Sequence, residues 1–354
     1  MDRRTFLRTG AGVSALSLAG CAGLLETRST GNAQVPENRP DGVYVPGHVE
    51  GTEMVGTGEQ GDFAAGLMYS YAHRFWTVTG DTVERTPVAD GDIHLMASIW
   101  DPETRTVLPE TGLSVEIRQD GSLVSEEVIY PMLSQPMGFH YGANFGLDGD
   151  GDYTVGLSVG GVSTRRTGAF RGRFGEPTTV DIGFEYSQSA RDELAYEVLD
   201  RGGERGAVDP REMGMLPDSV APAAEDLPGR VLGSERSNDV VLVATVLDSP
   251  PAGVDGEGAY LAVSARTRYN RMVVPAMGLA GTVTRDGQAV FDRRLVRTLD
   301  PDLGYHYGAV IGGLRSGDTL QLVPTTQPQT ARHEGYETAF GGLMGGMEDV
   351  MLSV

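Results

Sequence analysis

Two histidines and three methionines are the residues of this sequence best placed to do chemistry. His94 and Met96 lie two residues apart in Ile93-His94-Leu95-Met96-Ala97-Ser98-Ile99. The alternation there marks a strand, so both side chains leave the face opposite Ile93 and Leu95. An imidazole and a thioether on one face make ligand geometry. A second group, Pro131-Met132-Leu133-Ser134-Gln135-Pro136-Met137-Gly138-Phe139-His140-Tyr141-Gly142-Ala143-Asn144, adds Met132, Met137 and His140 on a loop entering a strand. Neutral imidazole and thioether together form a soft site, suited to copper or iron rather than to magnesium or calcium. The same residues also admit a plain reading, in which the histidine is hydrogen-bonded structure and the methionines fill a core.

The elements that position these residues are short strands. Leu113, Val115 and Ile117 alternate up to Asp120-Gly121, a hairpin signal, and Leu123, Val124, Val128 and Ile129 return. Fifty Gly and 19 Pro against 7% aromatic residues favour turns over long helices. The pattern predicts an all-β chain built of β-sandwiches. With 354 residues and 40% apolar content, two such domains can each bury a core.

Sliding the chain along itself gives their number. At an offset of 166, residues 94–146 fall on 260–312 without a gap, and 17 of those 53 positions are identical. The densest run sets His140-Tyr141-Gly142-Ala143 against His306-Tyr307-Gly308-Ala309. Two tandem copies of one domain are expected, at 61–188 and 238–354, with a partly helical linker at 189–237. In that linker Ser189 to Arg201 has helix character, with Ser189 and Asp192 cap-like and Gly202 as a stop.

Asp92-Ile93-His94-Leu95, Pro131-Met132 and Gly138-Phe139-His140-Tyr141-Gly142-Ala143-Asn144 together resemble the periplasmic iron-uptake family, also described as ferrous iron transport or membrane-antigen lipoproteins. The resemblance covers residues 63–188. It implies an immunoglobulin-like β-sandwich, dimerisation, a bound copper, iron, manganese or zinc ion, and work beside an iron permease of the cytoplasmic membrane. Carried onto this chain, it places the strand histidine at His94, the Pro-Met methionine at Met132 and the His-Tyr-Gly histidine at His140. Two departures stand out. The family's Glu two residues after the strand histidine is here Met96, and its Arg-His segment falls at Thr164-Arg165-Arg166-Thr167, which has no histidine. The expected metal set is therefore His94, Met96, Met132 and His140, with Met137 as a substitute, and its sulfur content favours copper(I). In the second copy Tyr260, Ala262, Thr298 and Leu303 stand where His94, Met96, Met132 and Met137 would be, and only His306 persists. Arg332-His333 lies where the Arg-His segment would fall. Because the family dimerises, the two copies are expected to pair as an intrachain pseudo-dimer; His333 reads as a surface histidine, with a reach across to the first site as the alternative.

Charge narrows the partners. The net charge is −21, and all 28 basic residues are arginine. Such a surface resembles that of an extreme halophile, where carboxylates stay hydrated in molar salt and the Debye length is about 3 Å. Nucleic acid is disfavoured as a partner, since phosphate needs a basic stripe. At the N-terminus, Arg3-Arg4-Thr5-Phe6-Leu7 and the apolar run Gly10 to Gly20 read as a twin-arginine export signal over residues 1–21, too short to span a bilayer. It ends in Leu18-Ala19-Gly20-Cys21, like a lipobox, and Cys21 is the only cysteine, so lipidation is its expected role. Residues 22–60 read as a flexible tether.

Other signals are set aside. Gly156-Leu157-Ser158-Val159-Gly160 matches a nucleophile pattern but falls inside an expected strand. Asp148-Gly149-Asp150-Gly151-Asp152 begins like a calcium loop, yet Val159 stands where the bidentate Glu is required. His73, among Tyr71, Phe75 and Trp76, reads as a packed strand histidine with a ligand role as the alternative, and His48 in the tether receives none. The expected protein is a lipid-anchored carrier outside the cytoplasmic membrane that hands iron or copper to a permease, and not an enzyme. The alternative is a non-catalytic envelope module in which the His-Tyr-Gly-Ala run serves packing.

Overall fold

In the computed structural model, residues 34–88, 91–341 and 346–354 are described. The first half forms β1 (His48–Glu50), β2 (Glu53–Gln60), β3 (Phe63–Tyr71), β4 (Phe75–Thr79), β5 (Thr82–Thr86), β6 (Ile93–Trp100), β7 (Thr111–Gln119), β8 (Ser122–Val128), β9 (Tyr130–Ser134), β10 (Gly138–Phe145), β11 (Gly151–Val162), β12 (Arg165–Arg166), β13 (Thr178–Tyr186) and β14 (Tyr196–Val198). The second forms β15 (Arg230–Ser237), β16 (Val240–Leu247), β17 (Ala259–Thr267), β18 (Gly278–Arg285), β19 (Gln288–Arg294), β20 (Val296–Asp300), β21 (Gly304–Ile311), β22 (Thr319–Thr326), β23 (Ala331–Arg332) and β24 (Val350–Ser353). The chain is all-β, as its alternation and turn content predict.

One sheet of eight strands, in the order β2-β3-β6-β10-β9-β23-β4-β5, faces a four-stranded sheet β13-β11-β7-β8. Tyr69 of β3 meets Phe184 and Tyr186 of β13 across that gap. In the second half the orders are β12-β20-β21-β17-β16-β15 and β19-β18-β22-β24. Asp120 and Gly121 close the β7–β8 hairpin with φ of 50° and 78°, and Asp286 and Gly287 close β18–β19 with 49° and 80°. Both central residues are left-handed, the turn that matches strand twist.

β7, β11 and β13 bury alternate residues, as one-sided strands should, whereas β3 and β6 are buried along their whole length on both faces. Leu95, Ala97 and Ile99 point into the sandwich core with Leu113, Val115 and Leu157. The opposite face of β6 is covered by other segments of the chain, and it is this covered outer face that carries the chemistry.

Two short strands tie the halves reciprocally. After β11, β12 runs parallel to β20 with Arg165 opposite Thr298; after β22, β23 runs parallel to β9 with Ala331 opposite Met132. Both residues of one pairing lie 166 positions from those of the other, the same offset that aligns the sequence. Each half therefore lends a strand to the sheet of the other.

Three expectations need correction. The stretch 48–60 is not free tether: β2 pairs along β3 through a two-residue turn at Gly61-Asp62, where Gly61 has φ 60°. Its Gly, Thr and Glu content reads as flexible because the pairing partner that orders it lies outside the segment. The linker helix is a single turn, α1 (Gln188–Asp192), capped by Ser187, which accepts from the Ala190 amide. The chain then extends into β14, which pairs with β1. The linker's last residues, 230–237, are β15. The export signal and Cys21 lie outside the described residues. Among the described residues, no helix is long and apolar enough to cross a membrane.

Candidate metal centre

Cross-strand register places the donors in rows on the outer face of the large sheet. Ser70, His94 and Asn144 lie opposite one another on β3, β6 and β10, and the next row holds Met68, Met96 and Gly142. On the far side, His140 of β10 faces Met132 of β9. Residues two apart on these strands share the face, so His140 lies beside Gly142 along β10 and His94 lies diagonal to it on β6.

The two strand histidines are fully buried and fixed from behind. His94 Nδ1 donates to Asn144 Oδ1 at 2.8 Å, and His140 Nδ1 donates to the Gly138 carbonyl at 3.0 Å. Neither Nε2 has a hydrogen-bond partner. A buried polar nitrogen without a partner is costly, and here both are bare lone pairs, the form in which imidazole binds metal.

His333 joins them from just beyond β23, and His73 from the turn between β3 and β4. Glu50 Oε2 lies 3.0 Å from His73 Nδ1, and His73 Nε2 lies 3.1 Å from His333 Nδ1. The Glu50 carboxylate can only accept, so His73 Nδ1–H donates to it. The His333 Nε2 is a third buried ring nitrogen that lacks a partner. Ligand atoms of His73, His94 and His333 all lie within 4.8 Å of one another. The ring centroids of His140 and His333 are 5.1 Å apart.

Met132 is fully buried beside Phe75 and Ala331. Gly142 is the close-approach point: a Cβ there would fall 2.8 Å from His94 Nε2 and 3.1 Å from Met132 Sδ. Glycine in the His-Tyr-Gly-Ala run thus leaves the volume over which an imidazole and a thioether lean.

Burial keeps the rings neutral. It holds His94 and His333 well below the ordinary histidine range, with the neighbouring rings adding to the effect, and it pushes His140 down to about 4. Burial pushes the Glu50 carboxyl up, but the pull of His73 and hydrogen bonds from His48, His73 and Ser70 outweigh it and leave the group ionised far below its usual range. The centre combines neutral nitrogen and sulfur donors with one carboxylate at its edge.

The second half supplies an internal control. His306 Nδ1 donates to the Gly304 carbonyl at 3.0 Å, as His140 does to Gly138, but its Nε2 accepts from the Tyr260 hydroxyl at 3.0 Å. Arg165 donates to that hydroxyl at 2.9 Å and to Thr298 Oγ1 at 2.8 Å. A guanidinium and a phenol therefore fill the position where the first half has unpartnered nitrogens. The motif tyrosine has one role in both halves. Tyr141 accepts from the Thr111 amide and donates to the Leu108 carbonyl, while Tyr307 accepts from the Met277 amide and donates to the Val274 carbonyl. The tyrosine is framework, and the difference between the halves lies in what surrounds the histidine.

Of the residues expected from sequence, His94, Met132 and His140 come together. Met96 shares their face but packs with Ala64, Met68, Trp100 and Leu216. Met96 and Met137 line a cavity of about 110 Å³ that also reaches Glu50, His73 and His333. Against the surface reading, His333 reaches the first half, and His73, expected mainly as packing, stands in the cluster. Glu50 escaped notice in the supposed tether; the His48-Val49-Glu50 alternation was its available signal, and His48 Nε2 lies 3.3 Å from Glu50 Oε1. Ser158 is exposed within β11 beside Thr179, far from a strand-to-helix turn.

No curated protein matches the sequence. Solved structures that match part of the chain include a copper-bound variant of FetP from uropathogenic Escherichia coli strain F11, 22% identical over 38% of this chain and 97% of that one, with a TM-score of 0.30. FetP of the same strain in its as-isolated form is 23% identical over 40% and 96%, with a TM-score of 0.29. The copper-reconstituted P19 protein of Campylobacter jejuni is 20% identical over 38% and 96%, with a TM-score of 0.31. A family model described as a domain of unknown function, DUF7350, matches residues 51–164 and 225–350, more than half of the chain, and the protein belongs to that family.

Proposed function

We propose that this protein is an extracytoplasmic carrier of copper or iron that holds the ion at His94, His140, His333 and Met132, with His73 and Glu50 at the edge of the site. The observation that carries the reading is the trio of buried Nε2 atoms without partners, in a half whose counterpart fills the same position with Tyr260 and Arg165. Imidazole with thioether favours copper, and proton-free sulfur allows ready exchange. Exchange suits a carrier that loads and unloads. In this reading the two halves are copies paired within one chain, the first binding and the second structural. The chain leaves the cell through its twin-arginine signal, is held by a lipid on Cys21 in a salt-rich exterior, and passes its ion to a membrane permease. It binds rather than catalyses.

Titration with copper and iron ions, in each oxidation state, tests the site. Tight binding of one ion that disappears in the His94→Ala, His140→Ala double variant is expected. Unchanged affinity in that variant would end the proposal. The competing reading, an envelope module, draws on the backbone hydrogen bond shared by His140 and His306. It requires that the wild-type protein bind no ion above background.

A further inference from the structure

We propose a second site of a different kind on the same sheet face: a thioether site for a monovalent soft cation, copper(I) or silver(I), formed by Met54, Met68 and Met96 with Met137 and Met213. Met54 lies directly opposite Met68, and Met68 directly opposite Met96, so three methionines stand in one transverse row across β2, β3 and β6. Directly opposed side chains on neighbouring strands have Cβ atoms about 5 Å apart, within reach of one another for a side chain as long as methionine. Met137, from the turn before β10, and Met213, from the segment following β14, pack onto the same cluster. Five of the 13 methionines of the chain therefore converge from five separate segments.

The bland account is that methionine fills gaps. Strand positions favour β-branched and aromatic residues, however, and a row of three unbranched thioethers in register on successive strands is not what that preference selects. The chemistry is also distinct from that of the histidine cluster. These donors are neutral, carry no proton to displace, and include neither imidazole nor carboxylate, so they suit a monovalent soft ion better than a divalent one.

Position adds a second argument. Met96 and Met137 line the same cavity as His73 and His333, while Met54, Met137 and Met213 are only partly buried. An ion held by the sulfurs would stand between solvent and the histidines. No bond other than metal–ligand bonds forms or breaks, and no electron moves.

This site does not depend on the histidine cluster binding metal, and titration with silver(I), with cuprous ion under anaerobic conditions as a second probe, separates the two. The full chain is expected to take up two silver ions. The Met96→Leu, Met137→Leu variant, which keeps the packing volume, should take up one and retain its ion at the histidines; the His94→Ala, His140→Ala variant should keep one, with only sulfur neighbours in the silver X-ray absorption spectrum. A leucine variant that takes up as many silver ions as the unsubstituted protein would overturn the proposal. Should the leucine variant fail to fold, the spectrum of the alanine variant decides: nitrogen or oxygen neighbours there also overturn it.

Discussion

His94 and His333 stand edge to face, with ring centroids 5.3 Å apart and an interplanar angle of 88°, although one lies on β6 and the other follows β23 of the second half. The contact exists because β23 runs beside β9 in the sheet of the first half. A histidine from one half thus joins the histidine cluster of the other.

Removing His333 should therefore weaken ion binding as much as removing His140. The His333→Ala variant is expected to lose roughly tenfold or more in affinity, on the scale at which even the groups supporting metal ligands matter. Competition titration against a chelator measures it. Affinity equal to wild type would place His333 outside the site.

Gly142 offers a substitution that adds one carbon and removes no donor. Its Cβ would fall 2.8 Å from His94 Nε2 and 3.1 Å from Met132 Sδ, so Gly142→Ala should displace both donors and cost about 1–3 kcal/mol of stability by overpacking. Ion affinity should drop with far-ultraviolet circular dichroism unchanged. At Gly308 a Cβ would collide with the Tyr260 hydroxyl, so Gly308→Ala should destabilise the fold while leaving affinity at the first centre intact.

Asn144 touches no ion in the proposed arrangement, yet it fixes the orientation of His94. It accepts from His94 Nδ1 at 2.8 Å and donates to the His73 carbonyl at 2.9 Å. Asn144→Ala should lower affinity roughly 10- to 100-fold. Asn144→Asp, which keeps an acceptor, should recover most of it. If both variants bind like wild type, the hydrogen bond has no part in aiming the ring.

Acid should destabilise the metal-free protein in a defined window. Burial lowers His140 and His306 to about 4, against an ordinary value of 6.5. Between these values the unfolded chain binds protons that the folded rings refuse. The stability is fully present above about 6.5, falls as pH drops, and stops falling from this cause near 4. At pH 5 each ring accounts for about 2 kcal/mol. Glu50, held low, adds a separate loss only once the pH falls below its ordinary carboxylate range. Urea unfolding at pH 7, 6 and 5 measures the slope; stability that is flat or rises on acidification would contradict the neutral-ring assignment.

Sequence alone determined the local terms. Alternation and Asp-Gly pairs specify strands and hairpins, because side-chain direction and turn dihedrals depend on near neighbours. The offset of 166 marked equivalent strands, and residue type with the family resemblance singled out His94, Met96, Met132 and His140 as candidate donors, of which Met96 packs elsewhere. Tertiary structure decided what these residues meet. The exchange of β12 and β23 between the halves brings His333 and Arg165 to opposite sites, and the order acquired by residues 48–60 brings Glu50 to His73. Those pairings are contacts between distant segments, set by which sheet edge is open and which face needs cover. No local pattern encodes them, and so one imidazole keeps a bare nitrogen while its counterpart is capped by a phenol.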